Sequence, residues 1–517
     1  MACRLGIVAA AGGSHSVRLV DARIAAVAAA SAAVVALFPG TASARGNTEV
    51  PGPAIAKDLR AGRPVTEQRA TIRGDIDLTR PGRVRGVFVC RRCTFDGRLI
   101  APHVVFERGI DLSGSTVNRP VTLEGARFKE AALFGPAGGS DDDNTVFRGP
   151  VDLSFATFDD LAVLRRASFE RKADFTSARF GSFARFGEAT FAGDALFEEA
   201  IFARDASFAH GGFSFESRFK GAVFGGVVDF RQANFAGATT FFEAVFRERA
   251  EFSRASMAAQ ATFDDARFAT DALFTGTQFL FEANPALTFD HAGIHDRLDL
   301  DGARLEGSAE FLDASVQVLS LDGVDYGSSS NLYVNGLATT DASLDLHDVP
   351  HIRGDVRQQQ KILETAEETA KSAGELGLAN DLHYRLQVLA SEDDRWLRHI
   401  ADIALYRAVA GYFVRPFRPL LWLLGLVFVA AFVRTLPPSR PPEAKKEQKP
   451  QRAPVVRVGR RFADKLIYTV SPHARAEEEA ASFRRVELTA YAVLVGCFLL
   501  ALANTNPTLR DMVDTLV

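Results

Sequence analysis

Two cysteines, in the stretch Cys90-Arg91-Arg92-Cys93, have the type and spacing for chemistry. A C-x-x-C can shuttle electrons, hold half of a zinc site, or close on itself. No second pair stands at zinc-finger spacing, and no strand–helix–strand context of a redox fold surrounds it. A disulfide between Cys90 and Cys93 is the expected fate in an exported chain, with two reduced thiols as the alternative. His291/His295 and His347/His351 each stand four apart, a metal-ligand spacing on a helix. Gly293 and Pro350 oppose a helix there, so these histidines read as coil-edge or surface residues. No G-x-S-x-G, Walker loop or dinucleotide fingerprint occurs, and Gly135 to Gly139 lacks the strand–helix signal that would follow a phosphate loop. The many Asp and Glu read as a solvated surface, and a pair of carboxylates alone defines no glycosidase dyad. Accordingly no catalytic, cofactor-binding or metal residue is assigned, and no cofactor is expected.

What must position any functional surface is a repeat. The chain has 517 residues, 47% hydrophobic and 24% charged, with net charge −4, which excludes collagen, global disorder and a disulfide miniprotein. It holds 42 Phe against 7 Tyr and 2 Trp, an investment in dry packing. Large apolar residues stand at Phe169, Phe175, Phe180, Phe186, Phe191, Phe197, Phe202, Phe208, Phe213, Phe219, Phe224, Phe230, Phe235, Phe241, Phe246, Phe252, Met257, Phe263, Phe268, Phe274 and Phe279. The steps alternate six and five. Two residues before each, the chain is almost always small, with Ala at 16 of the 21 positions.

Steps of five and six scatter around a helix, which needs three and four. An extended strand fails as well, because strict alternation is missing. A coil with four short straight sides fits: each side sends one small and one large residue inward, and about 22 residues make a turn. The fold class expected is mainly β, a right-handed quadrilateral parallel β-solenoid with Phe stacked on Phe, followed by a small helical segment and two transmembrane helices.

The pattern A-x-F-x-x-x-A-x-F, as in ATFAGDALFEEAIFARDASF (189–208) and AVFGGVVDFRQANF (222–235), resembles the pentapeptide-repeat family in its Phe-rich form. A looser version runs through Phe95, Ile100, Phe106, Leu112, Val117, Leu123, Phe128 and Phe134. Gly135 to Asn144 reads as an ejected loop, and Phe147, Leu153, Phe158 and Leu164 resume the pattern. After Phe279 the phase is expected to slip by one residue at Pro285, before Phe289, Ile294, Leu300, Leu305, Phe311 and Val316. The resemblance covers about half the chain, roughly ten coils.

The flanks complete the layout. Arg18 and Arg23, the apolar run Ile24 to Phe38 and Ala42-Ser43-Ala44 read as a signal peptide over 1–44, with an uncleaved anchor as the alternative. An N-terminal cap region is expected at 45–94, the solenoid at 95–350, and a helical cap or stalk at 351–412. Within the stalk two helices break near Gly374 and Gly377, and a third starts at Glu392. Apolar runs give spans at 413–436 and 487–505, separated by a basic, Pro- and Lys-rich loop at 437–486 and followed by a tail at 506–517. The basic loop places itself in the cytoplasm and the solenoid outside.

Charge sorts the remaining readings. From Val151 to Pro350 there are 31 Asp plus Glu and 16 Lys plus Arg, a balance of −15, which leaves +11 elsewhere. Some soluble members of the resembled family are acidic rods that imitate duplex DNA. Two spans set this chain apart from them, and no nucleic-acid partner is expected. Pentapeptide coils are also sometimes fused to a two-span module resembling a potassium channel. Here Tyr468-Thr469-Val470 is followed by Ser471-Pro472, so the filter glycines are absent. The sequence therefore reads as a non-enzymatic, membrane-anchored interaction or spacer module at the cell envelope, with a two-span channel- or transporter-like protein as the alternative. Its expected partners are membrane lipid and a protein not specified by the sequence; a homo-oligomer stays open.

Overall fold

The computed structural model describes residues 48–80, 82–136, 144–328 and 330–392, together with 421, 422, 424, 425 and 427. They fall in two compact units divided between Ile362 and Leu363. The first is a parallel β-solenoid of about 13 turns. Most strands are two residues long, and four of them make a coil: Ala173–Asp174, Arg179–Phe180, Ala184–Arg185 and Thr190–Phe191 are one example. Each pairs in parallel with its counterpart 22 positions on, as Thr190 does with Gly212. Two-residue strands suffice because backbone groups bond to the coils on both sides: Phe197 N donates to Arg218 O one coil on at 2.7 Å, and Ile201 N to Ala178 O one coil back at 2.8 Å.

The core is columnar. All 21 positions from Phe169 to Phe279 are at most 2% exposed. The coil repeat equals the strand spacing of about 4.8 Å, so rings one coil apart meet face to face. Phe219 lies 4.9 Å from Phe197 and 4.8 Å from Phe241, nearly coplanar with both. Neighbouring columns meet edge to face, as Phe219 does with Phe230 at 5.4 Å and 83°. Both geometries suit the ring quadrupole. Small residues, mostly Ala, fill the inward position two residues earlier, with Val228, Thr239 and Thr277 the largest of them, all buried.

Corners recur every 11 residues with positive φ: Arg166 (54°), Ser177 (56°), Glu188 (60°), Glu199 (57°), His210 (57°) and Gly221 (64°). Aspartates just before them cap the turn. Asp111, Asp152, Asp174 and Asp229 each accept from the backbone N–H two residues on, at 2.9–3.0 Å. Some carboxylates that the sequence offers as surface charge are therefore bound into the backbone, and Asp111 and Asp229 are buried.

The register corrects three expectations. Coils reach back to Glu49–Pro51, which pairs with Thr71–Arg73, so coils occupy much of the expected cap at 45–94. The Phe signature is missing from these coils because Ile72 and Val84 stand where Phe stands later. Among the described residues the N-terminal region carries one helix, α1 (Gly52–Arg60), which buries Ile55, Ala56 and Leu59. Second, Ala101, not Ile100, takes the inward position: Ala101 is fully buried, and Ile100 is half-buried one residue to the outside. The six–five step dictates this whatever the side-chain size. Third, the break near Pro285 is an enlargement of four residues, since Ala261 pairs with Leu287, 26 positions on. The coil holding Gly135 is enlarged by eight, with Thr116 paired to Val146.

Helix α2 (Val356–Ala373) starts in the first unit, where Gln358 Oε1 accepts from Gly336 N at 2.8 Å. In the second unit its remainder pairs with α3 (Leu376–Glu392): Glu367, almost fully buried, holds Lys371 on its own helix and His383 Nδ1 at 3.2 Å on α3. Among the described residues no helix is long and apolar enough to cross a membrane. The expected signal peptide, the third stalk helix, the basic loop, the second span and the tail lie outside the described residues, as does the first span apart from its five described positions.

Candidate functional site

Beyond the first coils, and apart from the enlarged coil at Gly135, the coils keep short two-residue sides until the last three. There two adjacent sides fuse into longer strands, Gly293–Asp299, Ser315–Ser320 and Ala338–Ser343, with a bulge between Ile294 and Arg297. The outward column leading into this sheet carries Arg179, Ile201, Val223, Val245 and Arg267, then Gly293, Ser315 and Ala338. Three small residues in register leave a trough of about 560 Å³, within the range of ligand clefts. Backbone bonds fix its floor: Gly293 N, Ser315 N and Ala338 N each donate one coil back at 2.9 Å. Arg267 and Lys361 line the trough together with His291, His295, Gln317 and Thr340.

His291 and His295 are thus brought to one cleft, through a positive-φ corner at His291 (55°) and the bulge that follows. Arg267, Ser315 and Lys361 were not anticipated as site residues. The signal existed in the run of small outward residues, but finding it requires the register across the enlarged coil.

The other candidates sit elsewhere. The structure joins Cys90 to Cys93, with Cα atoms 5.8 Å apart and both residues buried. Ser115 of the next coil clamps this corner: its Oγ accepts from Cys93 N at 2.9 Å and donates to Cys90 O at 2.7 Å. His347 and His351 close the C-terminal end. Their rings bond Val324 O at 3.0 Å and Ser330 O at 2.9 Å, and His351 stacks on Tyr326 at 4.1 Å. Beneath them Asp348 is fully buried, and burial pushes its carboxyl up to about 6. Burial and the nearby Asp348 likewise raise the Tyr326 hydroxyl. Among the described residues no group of three His, Cys, Asp or Glu is arranged to hold a metal.

Asp348 carries a prediction. Its folded pKa lies above the ordinary 3.8, so the folded state holds the proton more tightly than the unfolded one. Its contribution to stability is therefore fully present below about pH 4, falls as pH rises toward about 6, and is flat above that. Urea midpoints at pH 4, 5 and 7 should decline with this profile relative to Asp348→Asn, which cannot ionise. Parallel profiles in the two proteins would show that another group is responsible.

Residues 164–211 and 219–267 match the sequence model of a family described as pentapeptide repeats, in nine copies. No curated protein and no solved structure matches this chain. Columnar core and parallel two-residue strands make the repeat part a parallel β-solenoid, and the matched stretches are similar to pentapeptide repeats.

Proposed function

We propose that the chain is a non-catalytic, membrane-anchored module whose right-handed solenoid projects outside the cytoplasm as a binding or spacing surface at the cell envelope. The observation that carries the reading is the uninterrupted apolar core: inward positions are spent on packing, so work is left to the outer faces. The anchoring part rests on sequence, through the apolar segments at 24–38, 413–436 and 487–505 and the basic loop at 437–486. Support for the segment at 413–436 comes from Leu421 and Leu424, which lie on helical backbone and are 66% and 57% exposed. Large apolar side chains left in this state require a partner, and lipid meets that requirement.

Topology is the test. Phe215 is 59% exposed at a corner of the solenoid. A Phe215→Cys variant in a Cys497→Ser background should react with a membrane-impermeant maleimide in spheroplasts before lysis. Labelling that appears only after lysis would place the solenoid in the cytoplasm and overturn the reading.

A further inference from the structure

We propose that the trough over the last three coils binds a phosphate group, presented by a soluble phosphate ester or by a lipid headgroup. The proposal does not depend on the envelope placement. It starts from a contrast in charge. The segment from Val151 to Pro350 carries −15, yet the trough is lined by Arg267, His291, His295 and Lys361 and by no carboxylate. Several arginines elsewhere on the solenoid are paired with acids: Arg127 with Asp159, Arg148 with Glu170, Arg218 with Glu216, Arg304 with Glu306. The side chains of Arg267, His291 and His295 have no ion-pair or hydrogen-bond partner among the described residues.

The donors suit an oxyanion. A guanidinium offers a planar fork and an ammonium a point charge, the two usual ways of holding phosphate. Imidazole N–H groups and the Ser315 hydroxyl add directional donors. Thr340 is already committed, donating to Gln317 O at 2.7 Å. The trough is open and shallow, with Arg267, His291, His295 and Lys361 all exposed. It would hold a charged group entering from the side and does not enclose a whole molecule. The small residues at 293, 315 and 338 are needed for this: a long side chain in that column would fill the space the anion takes.

The experiment uses the purified full chain in detergent. Phosphorus NMR follows line broadening of glycerol phosphate in one arm and of phosphatidic acid in mixed micelles in the other. Saturable binding is expected in at least one arm. The soluble arm alone indicates a free ester, the lipid arm alone a headgroup, and both arms indicate a site that reads the phosphate only. Gly293→Leu tests the trough directly, because a Cβ at Gly293 meets no atom within 4 Å. It should weaken binding at least tenfold while leaving the thermal midpoint unchanged. Arg267→Gln should do the same without touching the floor, which keeps the test valid if the leucine disturbs folding. Absence of saturable binding in both arms would overturn the proposal. Binding unchanged in Arg267→Gln and in a folded Gly293→Leu would also overturn it, since contact would then be through diffuse charge.

Discussion

Phe219→Ala is expected to destabilise the solenoid by about 3–5 kcal/mol, the largest effect of a single side chain here. The ring is fully buried, stacked between Phe197 and Phe241, and met edge-on by Phe208 and Phe230 at 5.6 and 5.4 Å. Truncation removes the transfer free energy and leaves a void that neighbouring coils, fixed by their own backbone bonds, are poorly placed to fill. Because each coil touches only its neighbours, the loss should stay local. Hydrogen exchange should accelerate most between residues 197 and 241, and the urea midpoint should fall. Phe215→Ala is the control: its ring is mostly exposed, and the change should stay within about 0.5 kcal/mol. Similar losses in the two variants would mean that stacking in the columns is not what holds the rod.

Gly237→Ala should cost about 1–3 kcal/mol, although it adds one methyl group at the surface. An ideal Cβ there would lie 2.3 Å from the Phe215 carbonyl carbon and oxygen of the previous coil. Backbone cannot rotate away as a side chain can, so the two coils must part. The same corner carries glycine at Gly97, Gly149, Gly193 and Gly237, with Arg119, Arg171 and Phe215 on the coils between. From Gly97 to Gly237 every second coil carries glycine there, because a Cβ would meet the backbone of the coil before. Gly293→Ala, with open space around its Cβ, is the matched control and should be close to neutral. Thermal midpoints of the two variants decide the matter; equal midpoints would show that the corner accommodates a methyl group.

Much of the fold is legible in the chain because the interior is dictated locally. A benzyl group every fifth or sixth residue, with a small residue two before it, admits one kind of coil. Phe169 to Phe279 alone specify strand length, coil length and stacking. Legibility fades where other apolar side chains substitute: Ile72 and Val84 in the first coils, Ala101 in place of Ile100, and the coil that carries four extra residues near Pro285. Hydrophobicity alone does not mark register there, and register is a property of paired coils.

The candidate site was less legible still, for a related reason. His291 and His295 read as coil-edge residues and are exposed, but only the corner and the bulged strand show that they share one trough. Arg267, Ser315 and Lys361 are separated by 48 and 46 positions along the chain, and their neighbourhood arises only once the coils are stacked. By itself the sequence determined the repeat, the Phe columns and the charge imbalance, because each follows from side chains at fixed local steps. Tertiary structure decided the rest. Where coils begin, which aspartates become corner caps, and where a missing column of side chains opens a cationic trough all depend on which residue lies one coil above which.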